Sequence, residues 1–183
     1  MGHALVVGGS GMLRGVSIWL AECGFKVSVV GRELGKLQAL AADNSRIIPV
    51  MANYYDPVSF SERVEQAVKE RGTFDLMVAW LHSRHSEILQ QLILLNRGHG
   101  QGWSIYHILG SRDPAGLLRE ELSQLEGICY RQVQLGSIEE DSGTRWLTHA
   151  EIASGVISAI RSTRSYYAVG RIPTCTEEEG IDD

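Results

Sequence analysis

Short apolar segments alternate with longer amphipathic segments along most of the chain. Valine and isoleucine are concentrated in the short segments, whereas the longer ones repeat apolar residues every three or four positions. This alternation is typical of a parallel β-sheet whose strands are joined by crossover helices. The sequence predicts strands at residues 4–8, 25–30, 46–51, 74–80, 103–109 and 128–135. It predicts helices at residues 12–23, 33–42, 57–71, 84–96, 114–125 and 149–162.

Six consecutive strand-helix units indicate an α/β fold with three layers. Because crossovers between parallel strands are right-handed, we expect a doubly wound, six-stranded sheet in the order 3-2-1-4-5-6. Such sheets bind ligands at the carboxyl ends of the strands, where the winding reverses. A chain of 183 residues with 44% hydrophobic content forms one well-buried core. We therefore expect a single domain over residues 1–172, followed by an acidic tail at residues 173–183.

A glycine-rich segment, "GGSGMLR", lies between the first predicted strand and the first predicted helix. Glycines at this place allow a tight turn and let the backbone approach a pyrophosphate, as in Rossmann dinucleotide-binding folds. The predicted cofactor contacts in this loop are Gly8, Gly9, Ser10, Gly11, Met12, Leu13 and Arg14. The alternative is a glycine-rich turn that binds no nucleotide. For Arg14, the alternative to a phosphate contact is a solvated side chain at the start of the helix.

The end of the second predicted strand distinguishes the two nicotinamide cofactors. An NAD site places a carboxylate there, which accepts hydrogen bonds from the ribose 2'-hydroxyl. This chain instead has Gly31 followed by Arg32. Because a guanidinium forms charge-assisted hydrogen bonds with a 2'-phosphate, the sequence favours NADP(H) as the cofactor, bound at Gly31 and Arg32.

These motifs resemble those of the short-chain dehydrogenase/reductase family, over residues 4–163. "FDLMVAW" resembles the family's fourth strand, and "NYYD" resembles its D-x-x-D motif. The resemblance implies that Asn53 lies near the adenine and that Asp56 caps the next helix. Trp80, at the end of "FDLMVAW", either walls the nicotinamide or belongs to the core.

A third motif, "QVQLGSI", resembles the family's sixth strand and the Pro-Gly turn that follows it. Leu135 stands in the place of the proline. The resemblance implies that Gly136, Ser137 and Ile138 lie beside the nicotinamide. Gly15 stands one position after the family's third glycine, so we expect the first helix to pack differently from the family's.

The chain lacks the catalytic pair of the family, which reduces carbonyls with a tyrosine as proton donor and a lysine four residues later. No Tyr-x-x-x-Lys occurs in the sequence. Tyr167 and Arg171 have similar spacing, but they follow the last predicted helix and are not expected to be catalytic. We also expect no substrate lid or final strand of the family's length. The family mechanism is therefore not expected here.

Polar residues nevertheless follow the fourth, fifth and sixth predicted strands. They are His82, Ser83, Arg84, His85, Ser111, Arg112, Ser137 and Glu139. Ser111 resembles the family serine that hydrogen-bonds a substrate carbonyl; alternatively it caps, with Asp113, the helix that begins near Pro114. His82 is a candidate proton donor near neutral pH, or else a structural hydrogen-bond donor. His107, inside the fifth strand, is expected to be structural.

Charge and cysteine content exclude some other functions. The formal net charge of -5 provides no basic face for a nucleic acid. Cys23, Cys129 and Cys175 are odd in number and lack metal-ligand spacing, so no metal site is expected. Two of them lie in apolar patterns, which favours small buried thiols in a reducing compartment. The sequence shows neither a secretory signal nor a membrane-spanning segment, and we expect a cytoplasmic protein without membrane contact.

The remaining expectations concern the last helices and the activity. Thr148 and Glu151 have the spacing of a capping box. The apolar helix at residues 84–96 predicts either a homodimer through it or the next helix, or a loop that covers it.

Two functions stay open: an NADPH-dependent reductase of a small, activated acceptor, and a non-catalytic NADP(H) sensor. A structural protein without nucleotide requires the glycine loop and Arg32 to be coincidental.

Overall fold

The computed structural model describes residues 2–81, 86–99, 102–113, 119–120, 122, 124–141 and 143–172. The strands are β1 (His3–Val7), β2 (Lys26–Gly31), β3 (Ile47–Met51), β4 (Leu76–Trp80), β5 (Trp103–Leu109), β6 (Ile128–Leu135), β7 (Ser137–Glu140), β8 (Gly143–Trp146) and β9 (Tyr166–Val169). The helices are α1 (Arg14–Glu22), α2 (Leu34–Ala42), α3 (Pro57–Arg71), α4 (Ser86–Leu95) and α5 (His149–Ser162), with a 3₁₀ turn at Arg97–His99.

The main sheet has the strand order β3-β2-β1-β4-β5-β6-β9, and its pairs are parallel. This confirms the predicted α/β fold and the order 3-2-1-4-5-6, and it adds a seventh strand. Strand β9 pairs with the second half of β6, so that Tyr166 lies opposite Gln132 and Val169 opposite Leu135. Strands β7 and β8 form a separate antiparallel hairpin. The prediction of six strands was therefore incomplete, because β9 is only four residues long.

Two buried clusters cover the two faces of the sheet. Helices α1, α2 and α5 pack on one face, and α3 and α4 pack on the other. Gly15 permits the contact between α1 and α5, since a Cβ atom there would lie 2.8 Å from Cβ of Ala153. The three-layer arrangement leaves the carboxyl ends of the strands at one edge, where the loops meet.

Helix ends follow the predicted capping. The Asp56 carboxylate accepts a hydrogen bond of 3.2 Å from the amide of Ser59 at the start of α3. At the start of α5, the Thr148 hydroxyl accepts from the amide of Glu151, and the Glu151 carboxylate accepts from the amide of Thr148. Both predicted caps are confirmed, and the Glu151 carboxylate also binds the guanidinium of Arg145 from β8.

Most of the apolar residues of helix α4 are buried in the core. Its core residues are Ile88, Leu89, Leu92 and Ile93, whereas the Leu94 side chain is 47% exposed. In the following predicted helix at 114–125, residues 119, 120 and 122 are helical, and 114–118, 121 and 123 lie outside the described residues. The homodimer through these helices stays a prediction.

The cysteine prediction was wrong for both described cysteines, since Cys23 and Cys129 are exposed. Cys23 is the C-cap residue of α1, and Cys129 is the second residue of β6, so each lies at the end of its element rather than in the core. Within the described ranges, every helix is too short or too polar to cross a lipid bilayer. Their His, Cys, Asp and Glu residues also form no group of three that could hold a metal ion.

Candidate functional site

A cleft of about 300 Å³ lies at the carboxyl ends of the first strands. Its described lining residues are Val7, Gly8, Ser10, Gly11, Met12, Val30, Gly31, Arg32, Glu33, Lys36, Ala52, Tyr54, Tyr55 and Trp80. The residues come from the ends of β1 to β4 and from the start of α2. The cleft therefore lies at the point where the strand order reverses, which is where doubly wound sheets bind ligands.

A larger cleft of about 530 Å³ lies at the opposite edge of the sheet. It is bounded by the end of α4 and by Trp103 and Ile128, which begin β5 and β6. Its lining is mostly apolar, with Arg97 and Glu126 as charged members. Because it faces the amino ends of the strands, it is separate from the edge at which this fold places its chemistry.

The turn between β1 and α1 forms the floor of the first cleft. Gly8 has a φ of +83°, a left-handed conformation that favours glycine, and its amide donates to the carbonyl of Val30 at 3.1 Å. Gly9 is packed tightly, since a Cβ atom there would lie 2.5 Å from Oγ of Ser17. A Cβ atom on Gly11 would meet only the Gly8 carbonyl, at 3.8 Å. The turn therefore needs glycine at positions 8 and 9 for its own structure, whereas Gly11 leaves space beside the cleft.

Arg32 and Arg14 occupy different places. Arg32 is exposed and lines the cleft directly after β2, as the sequence predicts. Arg14 is outside the cleft lining, and its guanidinium pairs with the exposed carboxylate of Asp43 at 3.2 Å. Arg14 is thus an exposed, ion-paired residue at the start of α1, and its contact with a phosphate stays a prediction. Leu13, also predicted to contact the cofactor, is a buried core residue.

Two tyrosines after β3 form a wall of the cleft that the sequence analysis missed. The rings of Tyr54 and Tyr55 are stacked, with centroids 4.6 Å apart. Burial raises the pKa of Tyr54 to about 12, the neighbouring Tyr55 hydroxyl adds to this, and Arg32 acts in the opposite direction. The Tyr54 hydroxyl therefore stays protonated at neutral pH. Asn53 lies outside the cleft lining and is exposed, and its Oδ1 accepts from the amide of Tyr55 at 3.2 Å.

Sequence reasoning also missed two charged residues of the cleft, Glu33 and Lys36, whose side chains pair at 2.7 Å. Their three-residue spacing at the start of a helix that follows Arg32 indicates that they share a face, but not that this face meets the cleft. Trp80 fits both of its interpretations, because it lines the cleft and also packs against a core cluster.

The loop after β5 is held by a glutamine of β6. Nε2 of Gln134 donates to the carbonyl oxygens of Ser111 and Asp113, each at 3.3 Å. The Asp113 carboxylate accepts from the amide of Gly110 at 2.8 Å. Ser111 is half-buried at the carboxyl edge of the sheet, as predicted. Pro114, on which the alternative capping role depends, lies outside the described residues.

The turn after β6 is tied to β9 rather than to the cleft. The amide of Gly136 donates to the carbonyl of Val169 at 2.8 Å, and a Cβ atom on Gly136 would collide with the carbonyl of Arg171. Ser137 forms an antiparallel bridge with Arg171, and Ile138 packs against the core. These residues lie at the carboxyl edge, outside the lining of the first cleft.

The structure describes some of the other residues that the sequence singled out for chemical roles. His82, Ser83, Arg84 and His85 lie outside the described residues, so the catalytic role of His82 stays a prediction. His107 is buried and hydrogen-bonded, in agreement with a structural role. Tyr167 packs against the core cluster on the α5 side of the sheet, away from the cleft.

Comparisons with known proteins give the fold and a partial sequence match. No family model matches the chain. A protein of Myxococcus xanthus named as an uncharacterized oxidoreductase is 38% identical over 81 residues, which cover 42% of this chain. The match covers 32% of that relative, so the chain is matched over about a third of the relative's length.

Solved structures resemble the chain over most of its length. A short-chain dehydrogenase from Bacillus anthracis has a TM-score of 0.72 and 16% identity, covering 92% of this chain and 94% of its own. A short-chain dehydrogenase from Sphingobium yanoikuyae, solved in complex with NADPH, has a TM-score of 0.73 and 14% identity, covering 92% of this chain and 87% of its own. The chain therefore has the fold of short-chain dehydrogenases.

Proposed function

We propose that the protein binds NADP(H) in the cleft over β1 and β2 and acts as an oxidoreductase on a small, activated acceptor. The observation that carries this proposal is that the left-handed Gly8 turn and the Arg32 guanidinium line one crevice. An NADPH complex of a protein with the same fold supports the choice of cofactor. The partial match to an oxidoreductase supports the reaction class.

In the proposed binding mode, different parts of the cleft contact the pyrophosphate and the 2'-phosphate of the cofactor. Gly8 and Gly11 carry no side chain and line the cleft next to the start of α1, so they leave room for the pyrophosphate beside the backbone. The Arg32 guanidinium pairs with the 2'-phosphate by charge-assisted hydrogen bonds. Gly31 contributes no carboxylate that would repel this phosphate. Trp80, at the end of β4, bounds the side of the cleft toward β5.

The proposed chemistry is hydride transfer, which bound NADPH supplies from its nicotinamide ring to an electron-poor carbon. The chain must then provide, or admit from water, one proton to the reduced acceptor. Ser111 is the described candidate for orienting the acceptor, because Gln134 holds its loop at the carboxyl edge of the sheet. The sequence lacks a Tyr-x-x-x-Lys pair. Such a site is limited to acceptors that need little acid catalysis.

The second candidate function, a non-catalytic NADP(H) sensor, is favoured by that same missing pair. A sensor needs a difference in affinity between NADPH and NADP, coupled to a partner or to a change of shape. It needs no proton donor. The cofactor site is common to both functions, so only a measurement of substrate turnover distinguishes the reductase from the sensor.

Calorimetric titration with NADPH and NADH tests the cofactor assignment. We expect NADPH to bind much more tightly, and Arg32→Ala to weaken it by about 1 to 3 kcal/mol while leaving NADH nearly unchanged. The matched control is Arg46→Ala, which removes an exposed arginine at the opposite edge of the sheet, before β3. Equal affinities of the wild-type protein for the two cofactors would refute the assignment.

A further inference from the structure

The first cleft, in which we propose that the cofactor binds, contains a carboxylate as well as cations. Its charged lining residues among those described are Arg32, Glu33 and Lys36. Nζ of Lys36 lies 2.7 Å from Oε1 of Glu33, and the two side chains are 59% and 64% exposed. An ion pair this exposed contributes little to stability, so either member exchanges its partner at small cost.

The start of α2 explains why both charges face the cleft. Glu33 is the N-cap residue of this helix, and its side chain pairs with Lys36 instead of capping the helix amides. The three-residue spacing puts Lys36 on the same side of the first turn as Glu33. Arg32 directly precedes them, so all three groups bound the part of the cleft beyond β2.

We propose that the Glu33–Lys36 pair sets the cofactor preference of the cleft by exchanging partners. This rests on the proposed function. When NADP(H) binds, Lys36 leaves Glu33 and joins Arg32 on the 2'-phosphate. When NAD(H) binds, Glu33 is the carboxylate that accepts from the ribose 2'-hydroxyl, a role that the end of β2 leaves vacant.

The exchange follows from the relative strength of the possible pairs. A phosphate monoester carries nearly two negative charges at neutral pH, so it attracts Lys36 more strongly than a single carboxylate does. The same phosphate repels Glu33 at short range. Glu33 therefore opposes NADP(H) and assists NAD(H), whereas Lys36 assists NADP(H) alone.

Two single substitutions should consequently move the affinity ratio in opposite directions. Lys36→Met should weaken NADPH by about 5- to 20-fold and change NADH by less than about twofold. Glu33→Gln should strengthen NADPH by about 2- to 5-fold and weaken NADH by a similar factor. Both changes should shrink in about 0.5 M salt, which screens exposed charges.

The chain offers a matched control on α3. Glu65 and Lys69 form an exposed pair at 2.8 Å outside the cleft lining. Glu65→Gln and Lys69→Met make the same changes of net charge, so they correct for long-range effects. Neither should change the NADPH/NADH affinity ratio by more than about 1.5-fold at moderate salt.

The measurement is calorimetric titration of the folded variants with NADPH, NADH, 2',5'-ADP and 5'-AMP. The two nucleotides carry and lack the 2'-phosphate, so they should repeat the pattern without the nicotinamide. Opposite shifts from Glu33→Gln and Lys36→Met, absent from the control pair, support the exchange. If wild-type protein prefers NADPH but either variant leaves the ratio unchanged, the exchange is wrong and the proposed function stands. If wild-type protein binds none of the four ligands, the proposed function itself fails.

Discussion

Nδ1 of His107 lies 2.9 Å from the hydroxyl oxygen of Tyr130, on a buried face of the sheet. Nε2 of the same ring lies 3.2 Å from the carbonyl oxygen of Leu81. Because a carbonyl only accepts, Nε2 carries a proton. Burial lowers the pKa of His107 and keeps the ring neutral, so the Tyr130 hydroxyl donates to Nδ1. Tyr130 in turn accepts from Nε2 of Gln132 at 2.9 Å. This directional chain requires a neutral His107.

The chain of hydrogen bonds predicts a loss of stability in mild acid. Burial lowers the pKa of His107 from 6.5 to about 4. Between these values the unfolded histidine binds a proton that the folded protein excludes, so acidification favours unfolding. We expect His107 to account for a loss of about 2 kcal/mol between pH 7.5 and pH 5. Urea unfolding at the two pH values measures it.

Replacement of the histidine isolates this contribution. His107→Gln should be less stable than wild type at pH 7.5 but should lose less stability on acidification. His3 contributes with the same sign, because burial lowers its pKa too, so some acid sensitivity should remain. His149→Gln, at an exposed position, is the control for removing a histidine. An unchanged pH dependence in His107→Gln would contradict the neutral, buried assignment.

The sequence predicted those parts of the fold whose signals are local. The bounds of α3, β5, β6 and α5 agree with the predicted bounds, since apolar periodicity and capping residues mark them within one element. Strand β9 was missed because it has four residues and exists only through pairing with β6, about thirty residues earlier in the chain. Such pairing depends on the assembled sheet, so the sequence pattern near residues 166–169 does not reveal it.

The candidate site was predictable to a similar degree. The glycine turn and Arg32 follow from position relative to the first two strands, and both line the cleft. The Glu33–Lys36 pair and the wall at Tyr54 were missed because spacing shows which residues share a face, not which face meets the cleft. Gly11 shows the same limit, because position alone does not separate a packing glycine from a cleft glycine.

Gly9 and Gly11 should differ in their tolerance of a small side chain. Gly9→Ala should destabilise the protein by about 1 to 3 kcal/mol, since the new Cβ would also lie 2.8 Å from Val6 and 2.9 Å from Val29. Gly11→Ala is the matched control and should change stability by less than about 0.5 kcal/mol. Thermal or urea unfolding in the absence of cofactor compares them. Equal destabilisation would contradict the packing described for this turn.

A larger side chain at Gly11 should affect the cofactor instead of the fold. Gly11→Val should keep the circular dichroism of wild type, because open space surrounds that position on the protein side. It should abolish binding of both NADPH and NADH, since the valine methyl groups would occupy the space beside the phosphates. Normal NADPH binding by folded Gly11→Val would place the phosphates elsewhere.

The missing Tyr-x-x-x-Lys pair makes a prediction about substrates. General acid catalysis typically contributes about 100- to 10,000-fold in rate, so simple ketones and aldehydes should show negligible turnover with NADPH. Quinones, imines and other electron-poor acceptors need less protonation in the transition state. A spectrophotometric screen that follows NADPH oxidation separates the two groups of acceptors. Reduction of simple ketones at rates ordinary for short-chain dehydrogenases would mean that a proton donor has been overlooked.

Turnover of an activated acceptor, where found, should depend on the loop after β5. Ser111→Ala removes the hydroxyl that would orient the acceptor, and it should lower kcat/KM by about 10-fold or more while leaving NADPH affinity unchanged. The control is Ser45→Ala, which alters a serine before β3 at the opposite edge of the sheet. Equal turnover by Ser111→Ala and wild type would remove Ser111 from the site. If no acceptor is reduced, yet NADPH and NADP bind with different affinities, the sensor function is favoured, because a ligand shifts a state only through differential affinity.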